Sequence, residues 1–386
     1  MVSERPQERD PGEYRVRAYE PGDEEAIVAL HNRVWGGDRP LAWFRWKYVD
    51  APYVEAVPFY LVTHGDDLVG CFGLVPFRMC ADGETGLGML TGDLVVHPDH
   101  RGRGVFTGML GSLLDDGRVG ADEIDVPAAQ GLSLTDETDF LFAYANPLSH
   151  SGMRKLGWTD IAPRVSYHRI YDPTSFLRDR FGPDLARAAG PVTRGVARSW
   201  LRLRGLGTSG PAGLTVEFHQ KVPVDTLTTL ASRRAPSGVS PVYDEAFYEW
   251  RFAGVSWTQD GTYVARYGDD PLAAVMVRER HDDRLDATTL SLIHTVPLAG
   301  REREAGIAAI LDRIAAERRD ASFLRAWNPV FPDRLLRERG FLPDDRPPLS
   351  WTGGPDLRLV AHSLSGEPFS ETALRESGLA LWSLDK

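Results

Sequence analysis

Between Val95 and Leu110 the chain reads VVHPDHRGRGVFTGML, two arginines alternating with two glycines after an apolar strand-like run. Behind them Val105, Phe106, Met109, Leu110, Leu113 and Leu114 recur at helical spacing. Glycines at a strand-to-helix junction lie beside main-chain N–H groups that the helix cannot pair, where its dipole adds partial positive charge. Without Cβ atoms, Gly102 and Gly104 let a ligand close on those amides, and Arg101 and Arg103 add mobile cations. The chemistry that follows is the holding of an anion, and a pyrophosphate suits such a cradle. A Rossmann loop is excluded because Thr107 stands where its third glycine belongs, and a Walker loop because no Gly-Lys-Ser/Thr follows. A solvated turn carrying arginines is the plainer alternative.

The turn needs a strand before it and a helix behind it, and the flanking sequence supplies both. YRVRAYE alternates as a strand and DEEAIVALHNRVW has helical spacing. A short helix follows in PLAWFRWKYVD. PFYLVTHGDDLVGCFGLVPFRM reads as two strands around a Gly-Asp-Asp turn, and GLGMLTGDLVVHP as the strand entering the cradle.

This arrangement recurs in the second half. Trp46-Lys47-Tyr48 aligns with Trp250-Arg251-Phe252, and Gly65-Asp66-Asp67 with Gly268-Asp269-Asp270. YANPLSHSGMRKLGW aligns with AWNPVFPDRLLRERGF. Two blocks in the same order mark an internal repeat. Residues 14–172 and 213–347 therefore read as two copies of one domain. A disordered tail (1–13) precedes them, a helical connector (173–212) joins them, and a tail (348–386) is expected to pack back on the body. The aromatic set Trp43, Phe44, Trp46 and Tyr48 reappears as Phe247, Trp250 and Phe252, which reads as core packing.

VVHPDHRGRGVF resembles the acetyl-CoA-binding motif of the GNAT superfamily of N-acetyltransferases, an Arg-x-x-Gly-x-Gly/Ala turn after the fourth strand. Arg101 and Gly104 fill its first two places and Phe106 stands at the third. FLFAYANPLSHSGMRKLGW resembles the next block, a strand, an Asn, a helix and a closing Leu-Gly-aromatic. The resemblance implies an α/β fold of two tandem GNAT-like domains, each a mixed, mostly antiparallel sheet flanked by helices, the second copy degenerate. It implies acetyl-CoA as cosubstrate, with the pyrophosphate on Arg101, Gly102, Arg103 and Gly104 and the first helical residues Val105, Phe106 and Thr107. Pantetheine would lie along Val95, Val96 and His97 of a bulged fourth strand that splays from the fifth, with Asn146 as a further partner. A bulge amide would stabilise the oxyanion formed as an amine attacks the thioester, an interaction worth about 3 to 4 kcal/mol elsewhere. Asp93 is the candidate base. The usual general-acid tyrosine is replaced by Met153, leaving Tyr144, Ser149 or Ser151, or departure of CoA as thiolate, since free thiols titrate near about 8.5.

The second copy lacks the motif and places Glu302 and Glu304 where a pyrophosphate needs positive charge. The reading that results is an acetyl-CoA-dependent N-acyltransferase with one donor site, acting on an amine of a small molecule or peptide. Alternatives are a CoA-binding sensor without turnover and a FemABX-like aminoacyl transferase. The chain has 386 residues, 42% hydrophobic and 26% charged, which is globular composition, and its net charge of −11 argues against nucleic acid. Cys71 and Cys80 are the only cysteines, so neither a disulfide nor a metal site is expected, and His97 and His100 lack a third ligand. Neither a signal peptide nor an apolar span is read, so the expectation is a cytoplasmic protein without a membrane partner. Homo-oligomerisation is left open.

Overall fold

A computed structural model describes residues 14–114, 138–205, 213–233, 238–253, 259–283, 286–328, 330–352 and 357–376. The expected tail 1–13 lies outside them, as do parts of the connector and of the carboxyl-terminal segment. The strands are β1 (Tyr14–Ala18), β2 (Phe59–His64), β3 (Asp67–Ala81), β4 (Glu84–Val96), β5 (Thr138–Ala145), β6 (Thr159–Pro163), β7 (Val165–Ile170), β8 (Leu214–His219), β9 (Ser240–Pro241), β10 (Gln259–Tyr267), β11 (Asp270–Asp282), β12 (Ala287–Val296), β13 (Phe323–Asn328), β14 (Leu342–Pro343) and β15 (Arg358–Ser363). The helices of the first half are α1 (Glu24–Trp35), α2 (Leu41–Phe44), α3 (Val105–Leu114) and α4 (Pro147–Lys155), with a π-helical turn at Arg45–Val49 directly after α2.

One sheet runs β1-β2-β3-β4-β5-β15-β6, and the other runs β8-β10-β11-β12-β13-β7-β14. The two orders correspond place by place. In both, antiparallel pairs lead to a parallel step, β4 to β5 and β12 to β13. The Gly-Asp-Asp blocks form the matching hairpin turns, with Gly65 at φ 62° and Gly268 at φ 59°, a backbone region that favours glycine. Trp46-Lys47-Tyr48 and Trp250-Arg251-Phe252 lie in matching π-helical turns, Arg45–Val49 and Glu249–Ala253.

The described parts of 1–79, 85–161 and 360–371 form one compact unit, and those of 80–84, 162–359 and 372–386 the other. The sixth place of each sheet is taken by a strand from the other half of the chain, β15 in the first and β7 in the second. The sequence reading ended the first domain at 172, whereas β7 stands in the second sheet. An interior slot asks only for an extended segment that can be covered on both faces, and Leu359, Val360 and Ala361 or Tyr167 meet that requirement equally well.

The first sheet is covered on both faces. Alternation along β2 sends Tyr60 and Val62 into the core shared with Val105, Met109 and Leu110 of α3 and Met153 of α4. Phe59 points the other way, 5.0 Å from the Phe44 ring of α2 and 4.7 Å from the ring of Tyr48 in the π-helical turn. Gly73 of β3 makes room for that second contact, since a Cβ there would overlap the rings of both Tyr48 and Phe59. Among the described residues no helix is long and apolar enough to cross a membrane. Gly73→Ala is expected to destabilise the protein by about 2 to 3 kcal/mol through overpacking. Urea denaturation followed by tryptophan fluorescence measures it, and an unchanged midpoint would show that the aromatic layer yields.

Candidate active site

β4 and β5 pair in parallel from Leu87 opposite Thr138 to Leu90 opposite Phe142. Beyond that pair β4 continues to Val96 and β5 to Ala145, with no further register pair between them. The opposite edge of β4 stays bonded. The His97 N–H donates to the Val69 carbonyl of β3 at 2.8 Å, and the Val95 carbonyl lies against Gly70 of β3. Alternation turns the Val96 main chain the other way, and its carbonyl accepts from Arg101 Nε at 3.2 Å. Of the three residues expected to offer the open edge, Val96 faces it, whereas the Val95 carbonyl and the His97 amide serve β3. Within the diverging stretch Asp93 adopts φ 48°, in the left-handed region.

A one-turn 3-10 helix at Pro98–His100 follows, then Gly102 at φ 72° and Gly104 at φ 75°, conformations that glycine adopts without strain. The first helical bond of α3 runs from the Gly108 N–H to the Gly104 carbonyl at 2.8 Å, so the amides of Val105, Phe106 and Thr107 open the helix without partners inside it. Arg101, Gly102 and Arg103 are exposed, and nothing stands within 4 Å of where a Gly102 Cβ would be. His100 Nδ1 meets the Tyr14 hydroxyl at 3.0 Å, and burial together with His64 lowers the pKa of its imidazole.

On the same side Phe106 lays its ring against Gly152 of α4, where a Cβ would come within 2.5 Å of Cε1. The bulky residue in the motif is thus matched by a missing side chain opposite. Asn146 caps α4, its Oδ1 accepting from the Leu148 and Ser149 N–H groups at 2.9 and 3.0 Å, while Ser149 Oγ accepts from the Asn146 N–H at 3.1 Å. Both side chains are engaged in the cap, worth about 1 kcal/mol to the helix. Ser151 is exposed, Tyr144 is half-buried against Phe142, and Met153 is in the core.

Asp93 lies in a cluster that the sequence did not reveal. Its Oδ2 accepts from Lys47 Nζ at 2.5 Å and from the Tyr48 hydroxyl at 2.7 Å, and its Oδ1 from Arg39 Nη1 at 3.3 Å. Burial opposes ionisation, yet the charge and hydrogen bond of Lys47 outweigh it and hold the carboxyl well below the usual carboxylate range. Such a carboxylate is a stable counter-ion and a weak base. Arg39 also donates to His31 Nδ1 at 3.1 Å and lies over the Trp43 ring at 4.4 Å. Burial pushes the His31 pKa down to about 4, so the ring is neutral and can accept that bond. The signal for these residues was present in part: Lys47 is one of only four lysines and falls in the repeated Trp-Lys-Tyr block.

Residues 15–124 match the family model described as an acetyltransferase (GNAT) domain. The first unit carries a GNAT domain. Solved structures agree over both units. A GCN5-related N-acetyltransferase from Anabaena variabilis aligns over 91% of this chain and 72% of its own, at 12% identity and a TM-score of 0.58. A second from Kribbella flavida aligns over 91% and 71%, at 17% and 0.53. The N-myristoyltransferase of Saccharomyces cerevisiae with bound myristoyl-CoA aligns over 93% and 85%, at 14% and 0.55. At these identities the likeness is one of fold. No curated protein matches the sequence significantly.

The second GNAT-like unit keeps the diverging strands but not the cradle. Pairing of β12 with β13 ends at Ser291 opposite Arg325, and β12 runs on to Val296. The helix that follows, Arg301–Glu317, has Glu302 and Glu304 in its first turn, and the buried Arg303 donates to the Val330 carbonyl.

The neutral, buried His31 makes a pH prediction for the first unit. Below its unfolded pKa of about 6.5 the unfolded chain takes up a proton that the folded one refuses until about 4, so stability falls as pH drops through that window. The His31 contribution reaches about 3 kcal/mol at most. Melting temperatures at pH 7 and pH 5 should differ less in His31→Asn than in the unaltered protein, and equal slopes would overturn the assignment.

Proposed function

We propose that the protein is an N-acyltransferase that takes an acyl group, acetyl in the first instance, from a CoA thioester to an amine of a small molecule or peptide. The observation that carries this reading is the conjunction, in the first unit alone, of diverging parallel strands with a two-glycine turn at the start of α3. The exposed Arg101 and Arg103 and the amides of Gly102, Gly104, Val105, Phe106 and Thr107 would take the pyrophosphate. Val96 would offer main-chain groups to the pantetheine arm, Arg101 giving up its carbonyl as it swings to the phosphates. The Asn146 amide nitrogen would meet the arm from β5.

In the reaction the amine lone pair attacks the thioester carbon, the oxyanion is held by a main-chain amide of β4 near the Asp93 kink, and the C–S bond breaks to release CoA as thiolate. The proton lost by the amine passes to solvent or to the leaving sulfur. Asp93 is assigned as a counter-ion that fixes Arg39 and Lys47, in place of the base expected from sequence, because three donors already hold its charge. Tyr144 is the candidate proton donor to sulfur, since Met153 is buried, Ser149 is engaged in the cap and Ser151 faces solvent. A thiolate with an intrinsic pKa near about 8.5 also leaves tolerably unaided.

Titration calorimetry with CoA should find one site per chain. Gly104→Asp, which adds a side chain and a negative charge beside the helix start, should weaken binding by about tenfold or more. Free thiol should appear when acetyl-CoA is mixed with an amine panel. Absence of CoA binding overturns the reading, and two sites per chain overturn its restriction to the first unit. Binding without thiol release would favour the sensor, to which the buried Met153 and the ion-paired Asp93 lend support.

A further inference from the structure

Three of the chain's ten histidines meet at the entrance to the glycine turn. They come from different places along the chain: His64 ends β2, His97 follows β4, and His100 closes the 3-10 turn. The His100 ring centroid lies 5.2 Å from that of His64 and 5.9 Å from that of His97. Tyr14 of β1 stands 4.8 Å from His64 and 5.8 Å from His100, measured the same way. Tyr14 is buried in the core that α3 also joins, so the cluster sits on the α3 face of the sheet. His97 is committed to the turn, its Nδ1 accepting from the Asp99 N–H at 3.3 Å. Among the described residues no three His, Cys, Asp or Glu side chains are grouped to hold a metal ion.

His100 is the member with room to change its charge. Its Nδ1 meets the Tyr14 hydroxyl at 3.0 Å, and a hydroxyl donates to a neutral imidazole or accepts from a protonated one, so the contact outlasts a change of state. The ring is half-buried, and its Nε2 has no hydrogen-bond partner among the described residues. The titratable and charged groups that face it are His64 of β2, Tyr14 of β1, His97 and Asp99 beside it, and Arg101 and Arg103 of the glycine turn. α3 brings no charged side chain, and Asp66 and Asp67 in the hairpin turn beyond His64 are exposed. Burial, His64 and Arg103 hold the imidazole below its ordinary pKa. The Asp99 carboxylate pulls the other way, but its side chain is 82% exposed and screened by solvent. At neutral pH the ring is therefore uncharged.

A diphosphate on the turn reverses that balance. Its negative charges would lie on Arg101, Arg103 and the amides that open α3, within four residues of His100, and would cancel the repulsion that a guanidinium exerts on an imidazolium. We propose that His100 is a third cation of the cradle, taking up a proton as the diphosphate binds. This rests on the acyl-transfer reading and names the proton coupling of its donor site. Such coupling is reciprocal: a ring that gains its proton with the ligand tightens binding at pH values below its bound-state pKa, and that contribution is lost as pH rises through it.

The test uses 3′-dephospho-CoA, because the 3′-phosphate of CoA itself titrates near about pH 6 whereas the diphosphate bridge stays ionised. Titration calorimetry on the full-length protein at pH 6.5, repeated in buffers of different ionisation enthalpy, counts the protons taken up. About half a proton per site is expected, with affinity falling about fivefold between pH 6 and pH 8. His100→Gln, which keeps a hydrogen-bonding side chain but cannot be charged, should take up almost none and bind equally at both pH values. His64→Gln should retain the uptake, and melting temperatures establish that both variants fold. The imidazole C2–H resonances of the unaltered protein give a second reading that needs no variant: one histidine should titrate about one pH unit higher with the ligand than without it. Uptake undiminished in His100→Gln, uptake lost in His64→Gln, or binding with neither uptake nor a shifted histidine overturns this inference alone and leaves the donor site standing. Sulfate, which does not titrate in this range, serves as the simplest anion. If it binds with an uptake that His100→Gln abolishes while neither CoA nor dephospho-CoA binds, the acyl-transfer reading alone falls. No binding of any of the three overturns both.

Discussion

Main-chain amides and carbonyls inside a sheet must find partners, and from Thr91 to Val96 β4 has, among the described residues, a neighbouring strand on one side only. The rest of the first unit is arranged around that open edge. Ahead of it the register from Leu87 to Leu90 holds β4 and β5 together, and beyond it the glycine turn places the start of α3 at the mouth. The residues that close the two faces, Phe106 against Gly152 and Tyr48 against Gly73, are large–small pairs that fix the layers on either side. At that edge the Val96 carbonyl takes its hydrogen bond from the Arg101 side chain in place of a neighbouring strand.

The electrostatics divide between the two faces. At the turn, exposed arginines and helix amides create a positive mouth that is screened by solvent. On the α2 face Lys47 and Arg39 are held at fixed distances by the buried Asp93, where screening is weaker. The second unit keeps the strand order, the divergence and the π-helical turn, yet has glutamates at its helix start. The architecture recurs, whereas among the described residues the two-glycine turn stands in one copy only.

The glycine turn, the helix after it and the internal repeat were legible because each depends on residues close in sequence: alternation for β4, helical spacing for α3, and paired Gly-Asp-Asp turns for the hairpins. The candidate site was legible on the side of the glycine turn for the same reason. Its other side was not. Arg39 and Asp93 are 54 positions apart and Lys47 and Asp93 are 46, so no local pattern links them. Asp93 by itself reads as an acid on a strand, and whether it acts as base or counter-ion depends on neighbours that only folding brings to it.

The sequence by itself determined the strands, the cradle and the presence of two copies, since these follow from the period of apolar residues and the backbone freedom of glycine. The tertiary structure alone decided which sheet receives β7 and which receives β15, because both segments meet the demands of an interior slot and alternation carries no address. It also decided the charge state of Asp93 and the orientation of Arg39, because pKa values and hydrogen-bond geometry are set by distances through space that spacing along the chain does not encode.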